Sequence, residues 1–81
     1  MSLTYYVALP FVRSDDGVAA GQALECQSES QALSLAGAMA RDPANAGAIA
    51  FKRSGDPTMG NFSDAIVIKA FGEVPRSLDE L

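Results

Sequence analysis

The chain has 81 residues, with six Lys and Arg against ten Asp and Glu (net charge −4), 48% hydrophobic and 20% charged positions; this describes one small folded domain and excludes a disordered segment. Its basic residues are scattered, and only Lys52 and Arg53 are adjacent, so no patch could neutralise several phosphates and no nucleic-acid partner is expected. With no His and a single Cys, Cys26, these residues can form neither an internal disulfide nor a Cys/His zinc site, and they lack the imidazole base of the usual hydrolytic triads.

The opening stretch, MSLTYYVALPFVR, has no charged leader, and Thr4 and Pro10 break its apolar run. It is not expected to act as a signal peptide. No apolar window approaches the ~18 residues of a membrane span, and no basic amphipathic helix suggests a lipid surface. An unpaired thiol suits a reducing compartment, so the expected location is the cytoplasm.

In chain order, residues 3–12 alternate with period two and predict a strand, with Leu3, Tyr5, Val7, Leu9 and Phe11 toward the core. Pro10 cannot donate to a ladder, which puts the far end of that strand at an edge or off the sheet. Ser14 to Gly17 is a turn. Residues 18–27 read either as a second strand, with Val18, Ala20, Leu24 and Cys26 on one parity, or as a meandering connection, because Gly21 and the alanines pack a pleated surface poorly. Residues 28–41 predict a helix. Ser28 and Gln31 fit a capping box, and Ala32, Leu35, Ala36, Met39 and Ala40 recur at helical spacing, with Leu33 widening the stripe. Asp42-Pro43 stops it. Residues 48–52 and 64–71 predict two further strands, the first with Ile49 and Phe51 inward. The second is apolar on both sides, as in a central strand or one that a partner covers.

The expected fold is α+β: a three- to four-stranded antiparallel sheet with one helix packed on one face, in the order β-(β)-α-β-β. Residues 1–75 form the domain and 76–81 a tail. One helix covers one face only, so Tyr6, Val12, Val67 and Phe71 are expected on the opposite face as an interface. Four large apolar residues there predict a partner, most simply a second copy in a homodimer, with another protein as the further choice.

Chemistry is expected, if anywhere, in the stretch SGDPTMGNFS at 54–63, read as an unusually long hairpin loop. Arg53 would grip an anionic group, Asp56 and Asp64 would place carboxylates beside it, and Phe62 would fold back as an apolar plug. The competing reading makes it a structural loop, with Asp side chains capping turns and Arg53 in a surface ion pair worth ~0–1 kcal/mol. Gly55 and Gly60 match the spacing of a phosphate loop, but Asn61-Phe62 stands where Lys-Ser/Thr should. Asp56 and Asp64 match no metal signature. Cys26, on an apolar parity and without an activating His, reads as a core residue. No catalytic residue, metal or cofactor is expected. The leading function is a non-enzymatic interaction module; the alternative is a small anionic-ligand binder or minor enzyme built on residues 53–64.

Tyr5-Tyr6-Val7, then Phe51-x-Arg53-x-Gly55-Asp56-Pro57-x-x-Gly60-x-Phe62-x-Asp64-Ala65, then Gly72-Glu73-Val74-Pro75 resemble a group of short uncharacterised bacterial proteins. The resemblance covers most of the chain and implies a stand-alone small protein, with no activity to carry over. The Tyr-rich first strand, the Ala/Leu-faced helix and the strands after it are also similar to one βαββ half of the SPOR domain. That similarity would imply peptidoglycan binding.

Overall fold

The longest strand, β1 (Leu3–Ser14), sets the length of the molecule: twelve residues at ~3.3 Å each span the 40 Å long axis. The computed structural model of the protein describes residues 3–15, 17–56 and 58–75, so the expected tail at 76–81 lies outside the described residues. After β1 come β2 (Gly17–Ala20), β3 (Leu24–Cys26), α1 (Glu29–Arg41), β4 (Gly47–Asp56), β5 (Asn61–Phe62) and β6 (Ile66–Gly72). All pairings are antiparallel. β1 and β4 are the central pair, in register from Leu3 opposite Gly55 to Phe11 opposite Gly47. β2 and β3 run along the other side of β1, and β5 and β6 along the other side of β4.

The α+β class holds, but the sheet has six strands and not the expected three to four. The cause is that each outer arm is split. Phe11 faces Ala20 and Ala8 faces Leu24, so Gly21, Gln22 and Ala23 stand opposite only Leu9 and Pro10. Pro10 explains the position of the break. Its carbonyl accepts from the Gly21 N–H at 2.8 Å, so its nitrogen, which has no proton to donate, points at the same arm. The extra residue reverses the parity of that arm. Val18 packs on one face of the sheet and Cys26 on the other. On the opposite arm Lys69 faces Ala50 while Val67 faces Phe51, which leaves Ile68 as an extra residue. Residues 63–65 add another between β5 and β6.

The helix forms where its periodicity placed it. Ser28 Oγ accepts from the Gln31 N–H at 3.1 Å, and Gln31 Oε1 reaches back to the Gln27 N–H at 2.8 Å, one residue earlier than in a standard capping box. At the other end Asp42 is extended, and Asn45 Nδ2 donates to the Met39 carbonyl at 2.9 Å. Ser30, Ser34, Ala38 and Arg41 are exposed; Ala32 and Ala36 are fully buried.

Which sheet face the helix covers is the reverse of the sequence expectation. α1 lies on the even-numbered side of β1 and β4, over Ala8, Ala48 and Ala50, with Cys26, Tyr6, Ile68 and Phe71 around them. The odd set forms a second apolar cluster on the other face: Leu9, Phe11, Ile49 and Phe51 are buried there against Val7, Val18, Ala65, Val67 and Val74. Both outer arms contribute to this cluster, Val18 from β2 and Val67 from β6. Ile49 is the largest fully buried side chain, and its burial alone contributes roughly 1.5–3 kcal/mol.

Candidate functional site

At ~1.5 Å per residue the thirteen residues of α1 reach about 20 Å, half the length of β1. The helix touches β1, β3, β4 and β6 but neither β2 nor β5. One end of the sheet, built from residues 3–5 of β1, 53–56 of β4 and β5, therefore projects beyond it. This end includes the expected hairpin loop, now largely paired. β4 continues to Asp56 and the chain re-enters the sheet at Asn61, with Gly55 opposite Phe62. The reading of 54–63 as a long loop is corrected by that ladder. Thr4 and Ser54 hydroxyls meet across the strands at 3.0 Å, and the Ser63 N–H and hydroxyl both donate to the Ser54 carbonyl at 2.8 Å.

A Gly and Asp-rich stretch can pair here because of two local devices. Asp56 organises the tip: its Oδ1 accepts from the Thr58 N–H at 2.9 Å, its carbonyl accepts from Met59 at 3.1 Å and Gly60 at 2.8 Å, and Gly60 takes φ +72°, a conformation disfavoured for residues with a Cβ. Gly55 gives the Phe62 ring a place to lie, since a Cβ on Gly55 would overlap that ring and the Asn61 carbonyl. Phe62 then meets Tyr5 with ring centroids 6.0 Å apart at a tilt of 49°. Such aromatic pairs contribute ~0.5–1.5 kcal/mol beyond the area they bury.

Beside these rings the face opposite the helix holds an open cavity of about 310 Å³, lined by Tyr5, Val7, Ala23, Phe51, Arg53 and Phe62. Arg53 stands beside Tyr5 across the β1–β4 ladder, half-buried, with Nε shielded from solvent. Of the four residues expected to form a site, Arg53 and Phe62 meet at this cavity. Asp56 sits at the tip with one oxygen committed to its own turn, and Asp64 is exposed on the 63–65 connection; neither lines the cavity. The walls Tyr5, Val7 and Phe51 were assigned to the helix-covered core, and Ala23 to the uncertain second strand. The pairing of Gly55 with Phe62 that brings these walls together is visible only once β4 and β5 are paired.

A second, wider groove of about 460 Å³ runs along β1 where β3 stops, lined by Leu3, Thr4, Tyr5, Glu25, Cys26 and Gln27. The Cys26 thiol is buried, 3.7 Å from the Leu24 carbonyl. Among the described residues no three His, Cys, Asp or Glu side chains gather as metal ligands, and no helix is long and apolar enough to cross a membrane.

The four residues expected to share one interface do not share a face. Tyr6 and Phe71 pack into the helix-side cluster, Val67 into the opposite one, and Val12 lies exposed where β1 pairs with β2. The Phe71 ring is held between Gly37 of the helix and Lys69, whose Nζ stands 5.1 Å from the ring centroid.

Compared with known proteins, the chain matches no family model, no curated protein and no solved structure.

Proposed function

We propose that this chain is a non-enzymatic interaction module that works in the cytoplasm as a homodimer and associates through the end of the sheet beyond the helix. One observation carries this reading. Of the six large apolar residues that are exposed among the described residues, four lie at or beside that end: Leu3 (42%) and Phe62 (48%) flank Gly55 on the face opposite the helix, Met59 (69%) is at the tip, and Ile66 (58%), opposite Lys52, is on the helix-side face. Concentrated apolar surface of this kind marks interaction sites, and a two-fold pairing of identical patches is the simplest closed assembly that covers it. β1 adds a second element. Past Cys26 no described strand pairs with its residues 3–5 on the β3 side, and such an edge offers backbone groups to a second copy. The resemblance to short bacterial proteins, taken as kinship, implies the same stand-alone unit.

Light scattering after size exclusion tests the proposal. The expected mass is twice the 8.4 kDa of one chain at high micromolar concentration, falling to one chain for Leu3→Ser/Ile66→Ser. A single-chain mass that persists to millimolar concentration refutes it.

A further inference from the structure

We infer that the cavity lined by Tyr5, Phe51 and Phe62 is a binding site for a small aromatic carboxylate, at the end of the sheet where the two copies are proposed to meet. Its volume, about 310 Å³, falls at the small end of the ~300–1,000 Å³ typical of ligand pockets. Its walls select the class of ligand. Three aromatic residues, Val7 and Ala23 line an open-mouthed and almost wholly apolar hollow, and Arg53 is the cationic residue of the lining. A sugar or nucleotide needs many hydrogen-bonding partners, and these walls supply few. A cation needs oxygen ligands, but Asp56 and Asp64 lie outside the lining. The walls suit an apolar ring, which stacks or tilts against aromatic neighbours, carrying one anionic group.

Arg53 supplies the complement. A planar guanidinium has five N–H donors and can donate two of them to a carboxylate edge, leaving three for other partners. Its half-buried position beside apolar walls strengthens a charge-assisted hydrogen bond relative to one in open water. The site is also firmly supported: Tyr5, Val7, Phe51 and Arg53 all stand on the central β1–β4 ladder, and Phe62 is seated over Gly55.

The test titrates the full chain with 2-naphthoate and with its neutral analogue 2-naphthylmethanol, followed by ¹H–¹⁵N shifts. The expected result is saturable, sub-millimolar binding of the acid, with shifts centred on Tyr5, Val7, Ala23 and Phe62, and at least tenfold weaker binding of the alcohol. Arg53→Gln should weaken the acid at least tenfold and leave the alcohol unchanged. Ala23→Phe, at an exposed position of the rim, should block both probes and carries the test if the Arg53 variant fails to fold. No saturable shifts, equal affinity for acid and alcohol, shifts that map elsewhere, or unimpaired binding by Ala23→Phe would each overturn the assignment. Molecular mass recorded on the same samples, together with a parallel titration of the Leu3→Ser/Ile66→Ser chain, separates the two ideas. A wild-type chain that stays monomeric and binds the acid refutes only the dimer, and a monomeric variant indifferent to the acid refutes the site.

Discussion

Under the helix, the central strands present Ala8, Ala48 and Ala50, all completely buried, while their immediate neighbours in the same strands, Leu9, Ile49 and Phe51, point the opposite way into a cluster that α1 never touches. The helix answers the small face with small residues of its own, Ala32 and Ala36, also completely buried. One face is thus a close contact between two alanine surfaces, edged by Leu33, Leu35, Met39 and Phe71. The other is filled by bulk, with the outer arms and Val74 drawn in around it. Side-chain size decides where the helix lies: methyl groups let an element approach, and large side chains need a hollow to fill.

This contrast makes opposite substitutions costly on the two faces. The largest effect is expected from truncating the bulky side: Ile49→Ala should lose roughly 2–5 kcal/mol in urea unfolding, because the surroundings collapse only partly into the space left. Ala50→Leu, one residue on, should lose roughly 1–3 kcal/mol for the converse reason, since added methylenes would push the helix off the sheet. If Ala50→Leu were neutral, the helix-side contact would not be the close one described, and the contrast would break.

The helix itself was legible in the sequence because its signals are local. Ser28 and Gln31 sit three apart, the apolar stripe has helical spacing, and Asp42-Pro43 stops it. The length and alternation of β1 were legible for the same reason. Which of its faces meets the helix was not. Alternation separates Leu9 from Ala8, but it does not say which side a helix will choose, and the larger residues were assigned to the helix by default. The bulges at 21–23 and Ile68 were equally hidden: an inserted residue leaves no mark on composition, yet it sends Val18 and Cys26 to opposite faces. At the site, Arg53 and Phe62 were found and their walls were missed. Gly55 and Asp56 look like loop residues until the partner strand shows what the missing Cβ accommodates.

Two glycines sharpen the comparison with smaller effects. Gly55→Ala should cost on the order of 1–3 kcal/mol, because the Phe62 ring must leave its seat. In a Phe62→Ala background the cost should shrink, a coupling that a double-mutant cycle measures. Gly37→Ala should do the reverse. Its added methyl would meet the Phe71 ring at 3.7 Å, an ordinary contact, so thermal unfolding should show a gain of about 0.5–1 kcal/mol from helix propensity alone. A loss there would mean that α1 lies closer to β6 than described.

The proposal that the projecting end of the sheet is where two copies meet is tested most directly by amide shifts recorded from micromolar to millimolar protein. Association through that end predicts concentration-dependent changes confined to residues 3–5, 53–56 and 59–66, with α1 and the β1–β2 arm unmoved. Spectra that stay constant across the range, or changes that centre on the exposed side of α1, would contradict it.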